Sequence, residues 1–383
     1  MKTKIFLAVT AVFFMFSGSA FALHDGGVAH CDACHSMHNS ADNPRSGDVN
    51  APNLMKGSDA SSTCLNCHAG DGSSYHNSLT TVGTGVSQGG DFFWVKASST
   101  YDFEPWGGAG FGVNNDPDNT GHNVIAADFG LAVDGTNVTA PGGIMPSNTL
   151  FCTSCHDPHG QIDGGTGAGA AAVSGSGSYG TVAPVDGSTL GNFRLLGDAG
   201  YKLIVSDAPV ANSANAGYGQ PGGYGNATDY GSGMSGWCLS CHTIYNAGNM
   251  HPVSDVVPAA YNSYKATGDY TNTLATGYDQ MVPFERGATD GANLDPASTV
   301  GSDGSSTVAC ISCHRAHASA FDNAIRWDST HELLHQSGIL NEWSTTILAG
   351  GAIPYYRDGA AMDTDLEYGA YQRSLCNKCH VKD

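Results

Sequence analysis

Six C-x-x-C-H clusters that use every one of the twelve cysteines, set in a chain rich in glycine and poor in charge, predict a multihaem c-type cytochrome. The expected fold is mostly loops and short helices wrapped around a continuous stack of haems, with little sheet. Glycine supplies 52 of 383 residues, and only 13% of residues are charged, against a typical share of about 25%. Stretches such as 164–180 (GGTGAGAAAVSGSGSYG) and 212–233 (NSANAGYGQPGGYGNATDYGSG) carry neither helical nor strand periodicity. Such a chain lacks the apolar side chains to offset its own ordering entropy. Large apolar macrocycles supply that missing mass.

The clusters are CDACH (Cys31, Cys34, His35), CLNCH (Cys64, Cys67, His68), CTSCH (Cys152, Cys155, His156), CLSCH (Cys238, Cys241, His242), CISCH (Cys310, Cys313, His314) and CNKCH (Cys376, Cys379, His380). Two thiols three positions apart lie along one helical turn, placed to add to the two vinyl groups on one edge of a porphyrin. The next residue, histidine, then sits beneath the iron as its proximal ligand. A lone C-x-x-C also suits a dithiol redox pair or half a zinc site. Six copies, each followed by histidine and leaving no cysteine over, point away from both and from disulfides. The clusters start 33, 88, 86, 72 and 66 residues apart, which is no strict-period array.

The first residues read MKTKIFLAVTAVFFMFSGSAFA: a basic start at Lys2 and Lys4, an apolar run over 5–16, and a small-residue site at Ala20 to Ala22. This predicts a secretory signal peptide over 1–22 and a single hexahaem unit over 23–383, with no membrane span. Removing Lys2 and Lys4 with the leader takes the formal net charge from −20 to −22. So acidic a chain is poorly suited to nucleic acid or a basic membrane-docking surface.

Six proximal residues leave ten of the sixteen histidines. That is enough for a second imidazole on every iron, and the methionines (Met37, Met145 and Met234 among them) share no repeated offset from the clusters. Bis-histidine ligation is therefore expected. CHSMH, CHDPH and CHRAH place His38, His159 and His317 three residues after a proximal histidine. A residue one turn further along the same segment stays on the proximal side and cannot reach round a macrocycle roughly 10 Å across. Each of these three is expected to ligate a haem other than the one attached beside it. His76, His122 and His251 are the remaining distal candidates, His24 is a further one, and His30, His331 and His335 read as incidental. HELLH (331–335) fits the zinc-protease pattern with Glu332 as base, but no third ligand is evident, and a solvated helix is the reading adopted.

Beyond the clusters, the chain resembles the extracellular hexahaem c-type cytochromes of metal-reducing bacteria, of the outer-surface cytochrome S type. The resemblance is carried by GGVAHCDACHSMHNS (26–40), SSTCLNCH with SSYH (61–76), GGDFFWVK (89–96), GHNVIAADF (121–129) and CTSCHDPHG (152–160). It continues in YGSGMSGWCLSCHT (230–243), YNSYKATGDYT (261–271), CISCHRAHASAFD (310–322) and YQRSLCNKCHVKD (371–383). Residues 161–235 and 323–370 depart from the family pattern. The resemblance implies six bis-histidine haems in one stack. It also implies that His38 ligates the fifth haem, that of His314, in a neighbouring subunit. Identical subunits would then join head to tail into an open filament, secreted through the periplasm to the cell surface. Other redox proteins and extracellular metal oxides or electrodes would be its partners. No nucleophile, base and oxyanion arrangement is visible, so an electron-transfer protein is expected rather than an enzyme. The alternatives are a periplasmic multihaem reductase, which needs an open sixth position on one iron, and a soluble electron reservoir.

Overall fold

The computed structural model describes residues 31–36, 54–70, 78–79, 89–96, 100–103, 111–114, 117–158, 195–213, 228–246, 251–263, 273–279, 282–319, 321–326 and 378–379. Among these the α-helices are short: α1 (Cys31–Cys34), α2 (Ala60–His68), α3 (Phe93–Lys96), α4 (Cys152–Cys155), α5 (Met234–Cys238) and α6 (Cys310–Cys313). Two antiparallel two-stranded pairs complete the regular structure, β1 (Thr100–Phe103) with β2 (Phe111–Asn114) and β3 (Val210–Ser213) with β4 (Thr228–Ser232). Single-turn 3-10 segments and isolated bridges connect the rest. Among the described residues no helix is long and apolar enough to cross a membrane. The β3–β4 pair falls at the two ends of the glycine-rich 212–233 stretch, where the sequence showed no strand signal. Thr228, Asp229, Tyr230 and Gly231 of β4 are all buried, so no inside–outside alternation exists to be read.

Four-residue helices do not persist on their own, because nucleation fixes several residues for one hydrogen bond. Here α4 and α6 take caps from neighbouring segments. Helix α2 is the longest and has an N-cap of its own: Asp59 Oδ1 accepts the Ser62 N–H at 2.7 Å. Three residues before its first cysteine, Ser61 Oγ accepts the Cys152 N–H at 2.9 Å and so caps α4. The same device recurs further along. Ser235, three residues before Cys238, accepts the Cys310 N–H of α6 at 3.2 Å. Inside the short helices, Ser154 Oγ accepts the Phe151 N–H and Ser312 Oγ the Ala309 N–H, both at 3.0 Å. Helices α2 and α4 thus form one pair and α5 and α6 a second pair of the same design.

Two small apolar clusters support these pairs. One gathers Leu65, Trp94, Leu131, Tyr261 and Phe284. The other gathers Met234, Trp237, Ile311 and Tyr230, with the Trp237 indole N–H donating to the Gly197 carbonyl at 2.8 Å.

Candidate metal centres

The first, third and fifth attachment clusters put both cysteines on one helical turn and end the helix before the histidine; in the second the helix runs on through His68, and in the fourth it ends at Cys238. The N–H of His156 donates to the Cys152 carbonyl at 2.9 Å, that of His314 to Cys310 at 3.0 Å, and that of His242 to Cys238 at 3.2 Å. Cys64, Cys67, Cys152, Cys155, Cys238, Cys241, Cys310 and Cys313 form no disulfide. Burial pushes the Cys155 thiol up to about 12. Thiols of consecutive clusters shift one another's titration: Cys152 raises that of Cys64, and Cys310 raises that of Cys238.

The odd-numbered clusters share a backbone clamp. The N–H after the first proximal histidine donates to Leu54 (Ser36, 2.8 Å), and Lys56 N–H returns to the Cys34 carbonyl at 2.9 Å. In the third cluster the same two bonds are Asp157 to Leu195 (2.7 Å) and Gly197 to Cys155 (2.8 Å). In the fifth they are Arg315 to Ala324 (2.7 Å) and Arg326 to Cys313 (2.8 Å). The residue that accepts the first bond is left-handed each time: Leu54 (φ 59), Leu195 (φ 50) and Ala324 (φ 53). Three side-chain-bearing residues in this sparsely populated region mark a conformation imposed by the clamp.

The histidines meet in pairs. His122 faces His242 with ring centroids 5.8 Å apart, and His156 faces His317 at 6.2 Å. Two imidazoles on opposite faces of one metal ion, each nitrogen about 2 Å away, have centroids about 6 Å apart. The rings are also prepared as ligands. Nδ1–H donates to a backbone carbonyl at 2.7 Å in His122 (to Ala316), His242 (to Pro141) and His314 (to Asn323). In His317 it donates to Gly90 at 3.3 Å. A carbonyl can only accept, so Nδ1 carries the proton and Nε2 keeps its lone pair for a metal. Burial, reinforced by the nearby His242, lowers the pKa of His122 to about 4, and burial lowers that of His314. Both rings therefore stay neutral, the ligating form. These residues fit a haem with histidine on both faces.

Backbone contacts aim two of these rings. Residues 317–319 run between two other segments: His317 N–H donates to Gly89, Asp91 N–H to Ala318, His122 N–H to His317 and Ser319 N–H to Thr120. Gly90 (φ 89) and Gly121 flank Ala318 so closely that a Cβ on either would fall 2.0 Å from the Ala318 carbonyl oxygen or 2.4 Å from the Ala318 Cβ. Phe92 stacks on His317 at 4.5 Å.

His251 is exposed, packs on Tyr245 at 4.7 Å, and lies 6.2 Å from His314 in a more nearly parallel arrangement. His35, Cys34, Cys64, Cys67, His68 and Cys379 sit at the expected cluster positions. Cys31 begins α1. Cys376, His380, His24, His38, His76, His159 and the HELLH stretch lie outside the described residues. Ser61, Ser235, Gly90, Gly121 and the clamp residues were not anticipated. The recurring Ser-x-x-Cys at 61–64 and 235–238 is the sequence signal that identifies the two serines.

No family model matches the chain. It is 37% identical, over an alignment of 436 positions covering 99% of both chains, to the C-type cytochrome OmcS of Geobacter sulfurreducens. Its fold is similar to that of the outer membrane cytochrome S filament from the same organism: TM-score 0.67, 33% identity, 94% of this chain and 100% of that one covered. A cryo-EM structure of the OmcS nanowires matches with a TM-score of 0.65 at the same identity and coverage.

Proposed function

The chain belongs to the family of the C-type cytochrome OmcS, and from that premise we propose an electron-transfer protein with six covalent haems that polymerises head to tail into an extracellular conductive filament. It is not an enzyme. When bound, each haem supplies a one-electron couple tuned by its axial ligands and surroundings. The twelve cysteines hold the macrocycles, and His35, His68, His156, His242, His314 and His380 take the proximal positions. Residues 1–22 are the leader and 23–383 one unit.

The His156–His317 pair carries this reading. His317 follows the fifth cluster by three residues and faces the third cluster, two back in the chain. The same step takes His159, which follows the third cluster, to His35 of the first. It takes His38, which follows the first, to a cluster two places before the chain begins: the fifth cluster, with His314, of a neighbouring copy. One chain thus offers a ligand at one end and needs one at the other, a heterologous contact that does not close. His122 lies between the second and third clusters and faces the fourth. By the same step His251, between the fourth and fifth, serves His380, and its closeness to His314 is a contact between adjacent centres. His76, with His24 as second candidate, remains for His68.

Within each helix pair, the Ser61 and Ser235 caps tie consecutive attachment clusters together. Two-sided ligation by rings with anchored Nδ1 restrains each site against rearrangement. Electrons would pass to other redox proteins or to extracellular acceptors such as ferric oxides or an electrode. A small-anion reductase would need one iron with an open face, and the anchored ring pairs favour closed ones. Intact-mass measurement of the secreted protein with electron paramagnetic resonance tests the reading. Six attached haems with low-spin signals throughout the filament support it; fewer than six, or mostly five-coordinate iron, overturn it.

A further inference from the structure

Between the paired cysteines of the six clusters stand ten uncharged residues, one acid (Asp32) and one base, Lys378 of CNKCH. That base is fully buried. Its Nζ lies 3.8 Å from Asp279 Oδ2 and 4.1 Å from the centre of the Tyr261 ring. It also donates to the carbonyls of Tyr261 at 3.3 Å and Gly277 at 3.4 Å. The receiving cage is built without help from the cluster. Tyr261 is fully buried, its hydroxyl donates to the Val282 carbonyl at 2.8 Å and accepts the Asp279 N–H at 3.0 Å, and Phe284 meets its ring edge-on at 5.1 Å. Taking an ammonium and a carboxylate out of water is strongly unfavourable unless both are paired and hydrogen-bonded. An apolar residue would dock a loop here more simply, as Leu65 and Ile311 do in the second and fifth clusters.

We propose that Lys378 and Asp279 are positioning residues that set the redox potential of the sixth site while docking its attachment loop. This rests on the reading of CNKCH as a haem-attachment cluster. The ammonium belongs to a side chain of that loop, whereas the carboxylate belongs to the segment 273–279 that receives it. In a buried, weakly screening setting the nearer charge dominates. A cation favours the reduced iron, which carries one positive charge fewer, and so raises the potential; the carboxylate opposes it.

Spectroelectrochemical titration of the full secreted protein, with intact mass measured on the same samples, tests the idea. Lys378→Met should move one midpoint down, Asp279→Asn should move the same midpoint up, and Lys378→Arg should leave it near the parent value. A role confined to docking would not give opposite signs for the two partners. If Lys378→Met is not secreted, the Asp279→Asn and Lys378→Arg measurements decide alone: an upward shift in the first and little change in the second sustain the proposal. With six haems attached, unmoved midpoints or shifts of one sign in both partner variants overturn this inference and leave the cytochrome reading standing. A parent protein with no haem on its sixth cluster overturns both.

Discussion

The Nδ1–H of His122 donates to the carbonyl of Ala316 at 2.7 Å, so this ring is aimed by the backbone that follows the fifth C-x-x-C-H cluster. The His122 main-chain N–H donates to His317 at 2.8 Å, and His317 itself faces His156. The Ala316–His317 stretch thereby orients together the two rings that face His242 and His156.

Replacing His122 with alanine should therefore convert one haem, that of His242, to a high-spin form and leave the others low-spin. Its midpoint should shift while haem content stays unchanged. Visible and magnetic spectra of the purified variant check this; an unchanged spectrum would remove His122 from the ligand set.

Gly90→Ala should be costly for a different reason. A Cβ there meets the Ala318 carbonyl oxygen at 2.0 Å, and φ is 89. Overpacking of this kind typically costs about 1–3 kcal/mol, and here the displaced segment carries His317. Denaturant melts should show the loss, accompanied by perturbation of the haem of His156.

The two serine caps should behave as equals. Ser61→Ala and Ser235→Ala each remove an acceptor from a helix N-terminus and should each destabilise by about 0.5–2 kcal/mol. They serve separate helix pairs, so the double variant should lose close to the total of the two. Urea midpoints of the three variants measure it.

Glu285 gives a pH dependence with a definite sign. Its carboxylate accepts the Met234 N–H at 2.6 Å, and burial raises its pKa above the ordinary 4.5. The folded state then holds the proton more tightly than the unfolded one. The stabilisation it confers is full below the ordinary value and is lost as pH rises through the folded value. Glu285→Gln keeps an oxygen for Met234 and should flatten that fall; stability measured in buffers from pH 4 upward, about the carboxylate range, shows whether it does.

What the sequence made legible was the chemistry that repeats. The twelve cysteines, the proximal histidines, the short helices that bear them and the scarcity of sheet all follow from C-x-x-C-H and composition. The offset of His317 from His314 argued against its own haem on geometric grounds, yet gave no hint that its ring would face His156, because that meeting depends on backbone bridges between distant segments. Leu54, Leu195 and Ala324 carry no sign of their left-handed conformation, since none is glycine or asparagine. The buried β4 strand lacked alternation for the opposite reason, having no exposed face. Lys378 stood in plain view between two cysteines, but its meaning needed Asp279 and Tyr261, which only the fold brings to it.

On the proposed function, the two-cluster step from His317 to His156, continued to the first cluster, would make His38 the bond between copies. Negative-stain electron microscopy of secreted His38→Ala beside the parent protein tests this most directly. The expected images are long fibres from the parent and dispersed particles from the variant, with all six haems still attached by mass. Long fibres from His38→Ala would contradict the account.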